Sequence, residues 1–596
     1  MKITPSSLTL NQLFGSANEQ FVIPSYQRRY SWRERQIFEL IEDIDLLEDG
    51  DVHLLGSIVC LTGDHTAGVN KLELVDGQQR LTTVCILLEC LKQKFHSEGD
   101  ATRAQELARL LTAQSYTGPA VPKVALDSID REDFQHLVSS PQEVSLDTCG
   151  NRHLTGAFRT IRVWMSDCEV QDLAVFSYKL MNNAQIVRLD VSRSKDAFKL
   201  FETINNRGLK LSPTDIIKNF VLGNAARFGE NDLDRARGAW AKIIALLDGV
   251  DTDAFFRYFL ISTTSQRITM SHVVREFRRL FMNEVVEAEK LPDRHLYADE
   301  MEDDIQNENE SEINIDDVPI QIDASARLSF EEFLGRLIAS AKVFGQLILA
   351  KTGDGQIDRH LRNLRMIKAG QTYGFLMHLI VGNIERKTLL NVLKLTENFV
   401  LRRHICRERS NETEALFSRL CSVDPLDPVA AVRAAYRESC PTDEKFREEF
   451  TTAAFTSNII DRARYCLEQL ELLGHGKHDE LAVLGSSDVH VEHIIPQKIK
   501  TKRAKEEFGD WVTYLGPNAE SHHPKMVSRI GNLTLFAGQL NITASNNPFA
   551  AKKNAYKESS IRITNGLCQM SAFKFKHLVE RSNSLAELAV KRWPAP

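Results

Sequence analysis

Residues 72–83, Leu-Glu-Leu-Val-Asp-Gly-Gln-Gln-Arg-Leu-Thr-Thr, decide the fold of the first part of the chain. The segment opens with a β-like run that ends at Val75 and continues into the polar loop Asp76–Arg80. Apolar residues then recur at helical spacing, at Leu81, Val84, Leu87, Leu88 and Leu91. The pattern predicts a strand, a tight glycine-containing loop and a helix, with the polar loop at the helix N-terminus.

The chemistry of this loop suits a phosphate group. Backbone N–H groups and the helix dipole attract anions at a helix N-terminus. Asp76 adds a ligand for a cation, and Arg80 adds a positive charge. An ordinary capped turn is the alternative interpretation when the loop is read alone.

Two further segments of the first 220 residues carry polar groups of the same kind. Residues 23–32, Ile-Pro-Ser-Tyr-Gln-Arg-Arg-Tyr-Ser-Trp, combine aromatic rings with arginines, which bind phosphate and stack on bases but also occur in plain packing. Residues 201–208, Phe-Glu-Thr-Ile-Asn-Asn-Arg-Gly, precede Asp215 and Lys218. No Gly-x-x-x-x-Gly-Lys-Ser/Thr motif occurs, which excludes a P-loop NTPase.

Length and composition limit the class of protein. A chain of 596 residues predicts two or three domains. The net charge of -7 and the pI of about 6.2 exclude a global basic excess, so any contact with nucleic acid must be local. The ten cysteines form no Cys-x-x-Cys pair, which argues against a zinc ribbon. No signal peptide or membrane span is visible, so we expect a cytoplasmic protein without a membrane partner.

Hydrophobic periodicity divides the chain into three regions and predicts an α+β multidomain protein. Residues 1–225 alternate β-like runs with helices, residues 226–440 form a helical connector, and residues 441–596 form a C-terminal helical domain with a β-like run at 489–495. Residues 299–317 contain ten Asp or Glu and no Lys or Arg. Self-repulsion predicts an exposed acidic loop there, for which a solvated linker without function is the simpler interpretation.

A second group of polar residues begins at residues 491–497, Val-Glu-His-Ile-Ile-Pro-Gln. Adjacent side chains on a strand point to opposite faces, so only a strand end lets Glu492 and His493 serve one site. Pro496 gives the strand a reason to stop there. Asn532 follows within an apolar run, and Asn541 follows it.

Phosphodiester hydrolysis explains why these residue types occur together. The reaction needs an activated water, a cation that neutralises developing charge, and a group that orients the base. Glu492 and Asn541 offer oxygen ligands for Mg²⁺ or Mn²⁺, with Asn546 or Asn547 as alternatives to Asn541. His493 can accept a proton from water near neutral pH, and the amide of Asn532 can orient it. In the alternative interpretation, Glu492 and His493 are an exposed pair on the surface and Asn532 is a turn residue.

The C-terminal residues resemble the HNH, or ββα-metal, nuclease motif. The matching elements are residues 492–497 as Glu-His-Ile-Ile-Pro-Gln, residues 531–535 as Gly-Asn-Leu-Thr-Leu, Asn541, residues 546–549 as Asn-Asn-Pro-Phe, and Lys552-Lys553. The resemblance implies that Glu492 and Asn541 are metal ligands and that His493 is the general base. Asn532 is the second predicted catalytic residue, because its amide can orient His493.

Cations beside this motif predict DNA contacts. Five of the eight residues 498–505 are cations, namely Lys498, Lys500, Lys502, Arg503 and Lys505. Contacts from such a cluster to phosphates are independent of base sequence. The predicted DNA-binding residues are Lys498, Lys500, Lys502 and Arg503, with Lys552 of the motif. A solvated charged face is the alternative.

The two ends of the chain together are similar to GmrSD-type modification-dependent, or type IV, restriction enzymes. In these enzymes a ParB-like domain with the signature Asp-Gly-Gln-Gln-Arg comes first, helices follow, and an HNH domain comes last. The resemblance implies an endonuclease that cuts modified double-stranded phage DNA and hydrolyses a nucleoside triphosphate. The implied nucleotide site comprises Gln27, Arg28, Asp76, Gly77, Gln78, Gln79 and Arg80.

Two points stay open at this stage. A nucleotide-dependent DNA-binding regulator with a decayed nuclease domain is the alternative function, although every polar position of the HNH motif is filled. A single HNH centre cuts one strand per event, so double-strand cleavage requires a second event or a homodimer.

Overall fold

The computed structural model describes residues 3–48, 50–127, 129–139, 149–205, 212–291, 327–475, 489–537 and 549–596. The chain divides into two compact units. The first comprises Met1–Arg257 and Thr269–Lys342, and the second comprises Tyr258–Ile268 and Val343–Pro596.

The first unit is built on a mixed six-stranded sheet. Its strands are β1 (Ile3–Thr9), β2 (Glu19–Ile23), β3 (His53–Thr66), β4 (Val69–Asp76), β7 (Val124–Leu126) and β8 (Ala184–Val191), and the short strands β5 (Thr112–Ala113) and β6 (Val121–Pro122) pair separately. The sheet order is β1-β8-β3-β4-β2-β7. The β1–β8 and β3–β4 pairs are antiparallel, and the other three pairs are parallel.

Helix α3 lies in the core of the first unit. The helices in chain order are α1 (Leu10–Gly15), α2 (Glu34–Asp45), α3 (Gln78–Ser97), α4 (Ala101–Leu110), α5 (Arg131–Ser139), α6 (Arg152–Ser166), α7 (Val170–Asn182), α8 (Ser194–Asn205), α9 (Pro213–Phe228), α10 (Glu230–Leu246), α11 (Thr252–Thr264), α12 (Val273–Glu284) and α13 (Phe330–Leu349). Apolar residues occupy most sides of α3 and are fully buried at Leu81, Val84, Leu88 and Leu91. A helix that is apolar all round must be buried, and α4, α5, α6, α7 and β7 pack against it. The predicted strand, loop and helix are confirmed as β4, Gly77 and α3.

The second unit is mainly helical. Its helices are α14 (Gly355–Met366), α15 (Tyr373–Val381), α16 (Arg386–Ile405), α17 (Ser410–Leu420), α18 (Val429–Ser439), α19 (Asp443–Thr452), α20 (Ile460–His475), α21 (Lys502–Phe508), α22 (Trp511–Leu515), α23 (Ala519–Met526), α24 (Ala550–Lys557), α25 (Arg562–Asn565) and α26 (Phe575–Arg592). Strands β9 (Val489–His493) and β10 (Leu533–Ala537) form an antiparallel pair. A buried cluster that includes Ile494, Trp511, Phe536 and Tyr556 forms the core around this pair.

The coarse fold prediction is confirmed, since a mixed α/β region with a sheet precedes a helical C-terminal region. The ParB-like and HNH assignments and the three domain boundaries stay predictions. Residues 299–317, the predicted acidic loop, lie outside the described residues. No described helix is long and apolar enough to cross a membrane.

Candidate functional site

The end of β9 brings Glu492 and His493 into one cleft. In the β9–β10 ladder, Glu492 lies opposite Thr534 and His493 lies opposite Leu533. The ladder closes just after His493, where the N–H of Ile494 donates to the carbonyl of Asn532 at 2.9 Å. The cleft has a volume of about 640 Å³ and is lined by Glu492, His493, Pro496, Gln497, Lys498, Thr501, Arg503, Ala504 and Lys552.

The imidazole of His493 is suited to accept a proton. Its exposed fraction is only 9%, and burial lowers the pKa of His493, with Glu492 opposing the shift and Lys552 adding to it. The amide nitrogen of Gln497 lies 3.3 Å from Nε2 of His493. An amide N–H can only donate, so this contact favours the tautomer in which Nε2 is unprotonated and its lone pair accepts from Gln497.

Lys552 of α24 lies inside the cleft. Its Nζ donates to Oε1 of Glu492 at 2.6 Å and to the carbonyl of His493 at 2.8 Å. The exposed fractions of the Lys552 and Glu492 side chains are 6% and 16%, so this ion pair is largely shielded from water. The sequence predicted a DNA contact for Lys552, whereas the structure directs its ammonium group to the predicted metal ligand.

Asn532 holds the backbone that follows His493. Its Oδ1 accepts from the N–H of Ile495 at 2.8 Å, and its Nδ2 donates to the carbonyls of Ile495 at 2.9 Å and Val527 at 2.8 Å. These bonds use the amide on backbone groups, and the structure shows no bond from it to the imidazole of His493. Asn532 therefore orients His493 through the chain turn after β9, and not through the direct contact that the sequence predicted.

Replacement of Asn532 by alanine is expected to lower the free energy of unfolding of the second unit by about 3 kcal/mol, because buried backbone groups lose their partners. Urea denaturation followed by tryptophan fluorescence measures the change. Asn565→Ala is the matched control, since its amide donates to the carbonyls of Lys557 and Ser559 at a more exposed position. Equal losses in both variants would contradict a special role for Asn532.

Arg581 of α26 fixes the same turn from the other side, and no local sequence pattern predicts this role. Its Nη1 donates to the carbonyls of Gly531 at 2.9 Å and Leu533 at 2.7 Å. Burial lowers the pKa of Arg581 to about 10. At Gly531 a Cβ atom would collide with Leu578 and Ser582 of α26, so glycine is required for this close approach. Arg581 and Gly531 are positioning residues for the strand that carries Asn532.

The basic segment after the cleft splits into two groups. Lys500 and Lys505 form ion pairs of 3.1 Å with Glu520 and Asp510. Lys498 and Arg503 line the cleft and are exposed, and the exposed Lys502 begins α21. The segment thus places Lys498 and Arg503 at the cleft and Lys502 beside it at the start of α21.

The polar loop of the first unit is held in a conformation that only glycine adopts easily. Gly77 has a φ of 94°, and a Cβ atom there would collide with the side chain of Ile58. The N–H of Gly77 donates to Oδ1 of Asp76 at 2.8 Å. Burial raises the pKa of Asp76, which the positive charges of Arg80 and Lys218 oppose. The carboxylate therefore lies in a recess with cations nearby.

The two glutamines and the arginine of the loop differ in their contacts. Gln79 accepts from the N–H of Ser31 at 2.9 Å and donates to the carbonyl of Arg29 at 3.2 Å, so it fixes residues 29–31. Arg80 donates to the carbonyl of Ser57 at 3.0 Å, and burial lowers its pKa. Gln78 is buried at the first position of α3.

The structure brings α9 to this loop. Lys218 of α9 donates to Oε1 of Gln27, whose Nε2 donates to the carbonyl of Val75 at 2.8 Å. Asp215 lies 3.5 Å from Lys218 and 3.7 Å from Arg28. Burial would raise the pKa of Asp215, but attraction by Lys218 and Arg28 lowers it. From the sequence, Asp215 and Lys218 were identified only as polar residues that follow the segment 201–208. The fold places them beside Gln27, Arg28 and Asp76.

Family models match both ends of the chain. Residues 10–222 match the N-terminal domain of GmrSD restriction endonucleases, and residues 440–588 match their C-terminal domain. Together the two matches cover more than half of the chain. The chain belongs to the GmrSD restriction endonuclease family. No curated protein matches this GmrSD chain.

Both clusters of polar residues lie within the matched GmrSD domains. The loop with Asp76 and the α9 pair Asp215 and Lys218 fall in the N-terminal domain, and the cleft with Glu492 and His493 falls in the C-terminal domain. The family therefore assigns a restriction endonuclease activity to this chain, and the geometry of the two clusters bears on how it is carried out.

The donor atoms in the cleft of the GmrSD C-terminal domain fit a hard divalent cation. Oε1 of Glu492 and the carbonyl of His493 already surround one positive charge, the ammonium of Lys552. Carboxylate and carbonyl oxygens are the ligands that Mg²⁺ and Mn²⁺ prefer. Within the described ranges, no group of three or more His, Cys, Asp or Glu side chains is arranged to hold a metal. Asn541, Asn546 and Asn547, the predicted further ligands, lie outside the described residues.

Proposed function

We propose that this GmrSD chain is a divalent-metal-dependent endonuclease of the HNH type that cuts modified foreign DNA, under the control of a nucleoside triphosphate bound by its first unit. Family membership supports the restriction endonuclease. The observation that carries the chemistry is the shielded imidazole of His493 beside the carboxylate of Glu492, in a cleft bordered by the cations Lys498, Arg503 and Lys552.

His493 acts as the general base of the proposed reaction. Burial lowers the pKa of His493, so the ring is neutral at physiological pH and can take a proton from an attacking water. The Gln497 amide at 3.3 Å favours the tautomer with an unprotonated Nε2, and this weak bond is replaced when Nε2 takes the proton. Asn532 fixes the chain immediately after the base through two buried hydrogen bonds to the backbone of Ile495.

Among the described residues, Glu492 is the proposed metal ligand. An amide oxygen of Asn541, Asn546 or Asn547 is proposed as a second ligand. Bound Mg²⁺ or Mn²⁺ supplies a Lewis acid that neutralises the charge developing on the phosphate. Lys552 holds the Glu492 carboxylate in one orientation, which lowers the entropy cost of using it as a ligand. Its ammonium also places positive charge beside the scissile phosphate.

The cations at the cleft and beside it position the DNA. Lys498 and Arg503 at the mouth of the cleft and Lys502 on α21 contact phosphates on one side of the scissile bond. Such contacts fix the position of the duplex without reading its sequence. Selection of modified DNA is thus assigned to groups other than these cations.

The first unit supplies the proposed nucleotide site. The N-terminus of α3 offers backbone N–H groups, and Arg28 and Lys218 offer positive charge to phosphates. Asp76 and Asp215 offer carboxylates for the metal ion that accompanies a triphosphate. The neighbourhood of these groups supports binding and hydrolysis of the nucleotide.

A cleavage assay tests the proposed function. Phage DNA with modified bases is incubated with the protein, Mg²⁺ and each of the four common nucleoside triphosphates, and the products are separated by electrophoresis. We expect cleavage with at least one nucleotide, loss of cleavage in EDTA, and recovery when excess Mg²⁺ or Mn²⁺ is added. Unmodified DNA of the same sequence is the control. Intact DNA under every condition would contradict the nuclease and favour a regulator with a decayed nuclease domain.

A further inference from the structure

An arginine cluster in the second unit lies at the far end of the strand that carries the cleft residues. Arg359 and Arg362 are exposed on α14, and a spacing of three residues puts them on one face of that helix. Arg464 lies on α20, which packs against both α14 and β9. The cluster consists of Arg359, Arg362 and Arg464.

One hydrogen bond and one carboxylate locate the cluster. Arg464 donates from Nη2 to the carbonyl of Val489, the first residue of β9. Glu468 lies one helical turn after Arg464 on α20. Burial raises the pKa of Glu468, and the charges of Arg464, Arg359 and Arg362 oppose this shift.

Arg359 and Arg362, the exposed arginines of this cluster on α14, form no ion pair with the described residues. Among the described residues, neither Arg359 nor Arg362 lies within 4 Å of a carboxylate oxygen, whereas Arg386 of the same unit is paired with Asp354 at 2.5 Å. An exposed guanidinium that a protein does not neutralise keeps its five N–H donors for phosphate oxygens.

The distance along β9 relates the cluster to the cleft. The strand has five residues, so about 13 Å separate Val489 from His493 at about 3.3 Å per residue. One DNA strand carries a phosphate about every 3.4 Å along the duplex axis, so the two ends of β9 are about four base pairs apart. Lys498 and Arg503 follow the His493 end of the strand, and the arginine cluster lies at the Val489 end.

We propose that Arg359 and Arg362 form a second phosphate-binding surface, which holds the DNA duplex on the side of the cleft away from Lys498 and Arg503, while Arg464 joins α20 to the first residue of β9. The surface belongs to a helix between the two matched domains. It rests on the proposed nuclease function, because its purpose is to keep the scissile phosphate in place between two points of contact. Its contacts are independent of base sequence and are weakened by salt.

Binding measured as a function of salt tests this surface. The full chain carrying His493→Ala is used without divalent metal so that the DNA stays intact. Fluorescence anisotropy measures the dissociation constant for a labelled duplex at salt concentrations from about 50 to about 200 mM. Adding Arg359→Gln and Arg362→Gln is expected to lower the slope of log Kd against log salt by about 2 and to weaken binding about tenfold. Arg359→Lys with Arg362→Lys is expected to keep the slope, because the charges remain. Arg419→Gln, an exposed arginine of α17, is the matched control and is expected to change nothing.

The outcomes separate this surface from the proposed nuclease. An unchanged slope in the double glutamine variant, or a protein that does not bind the duplex at all, overturns the surface. A changed slope together with wild-type protein that fails to cut under every condition supports the surface and contradicts the nuclease. An equal loss of slope in Arg419→Gln would show a general charge effect and would also overturn the proposal.

Discussion

Replacement of His493 by alanine is expected to slow DNA cleavage by about 10²–10⁴-fold, the range that a general base contributes. The variant loses the neutral imidazole that accepts the proton of the attacking water, while Glu492, Lys552 and the basic groups of the cleft remain. Initial rates of nicking of a supercoiled plasmid carrying modified bases, at saturating Mg²⁺, measure the effect. Binding of the same plasmid is expected to stay within about twofold, because the substitution removes no positive charge that holds phosphate.

His490→Ala is the matched control for this experiment. His490 lies on the same strand, three residues before the base, and its side chain is exposed outside the residues that line the cleft. The control is expected to cut like the wild type. Thermal unfolding of both variants shows whether the fold is kept. A His493→Ala protein that is folded and cuts at the wild-type rate would show that the base lies elsewhere and that the HNH assignment is wrong.

The pH dependence of cleavage follows from the same residue. A general base works only when it is deprotonated, so the rate falls as pH drops through its pKa. Burial lowers the pKa of His493 below the ordinary value of about 6.5. The rate at saturating metal is therefore expected to stay level from about pH 8 to about pH 6.5 and to fall only in more acidic solution. A midpoint above the ordinary value would contradict the buried base.

The strands and helices around the two sites were predictable because each shows a regular spacing of apolar residues and is bounded by a glycine or a proline. The apolar run to Val75, the glycine at position 77 and the helical spacing after Leu81 together specify β4, a left-handed turn and α3. Likewise the short run up to His493 ends before Pro496, which marks the end of β9. These signals lie within a few neighbouring residues, so the sequence shows them directly.

The contacts between distant segments were not predictable. Lys552 lies about sixty positions from Glu492, and only the folded structure shows that its ammonium pairs with this carboxylate. Asn532 was expected to orient the imidazole directly, but its amide bonds backbone groups of the turn after β9. Arg581 had no signal because a single arginine in an amphipathic helix is normally a surface residue. Such roles depend on tertiary packing that no local pattern encodes.

The nucleotide site also depends on contacts between distant segments, because α9 brings Lys218 to the loop that contains Asp76. Replacement of Lys218 by methionine is expected to reduce nucleoside triphosphate hydrolysis by about 10²–10³-fold, as loss of a single preorganised charge-stabilising group does in other active sites. Lys218 is buried beside Gln27 and Asp215, so its ammonium is held in place before the nucleotide arrives. Release of inorganic phosphate, measured with each of the four nucleotides, reports the loss. Asp76→Ala is expected to act in the same direction because it removes the carboxylate of the loop.

Lys92→Met is the control for Lys218→Met. Lys92 is paired with Glu89 on α3, twelve residues beyond Arg80, which is about 18 Å along the helix. It is expected to keep full hydrolysis. If the nucleotide controls cleavage, Lys218→Met alters DNA cutting while the affinity of the second unit for Mn²⁺ stays unchanged, because Glu492 belongs to a different site. Normal hydrolysis in both Lys218→Met and Asp76→Ala would remove the proposed nucleotide site, whereas lost hydrolysis with unaltered cutting would leave two independent activities in one chain.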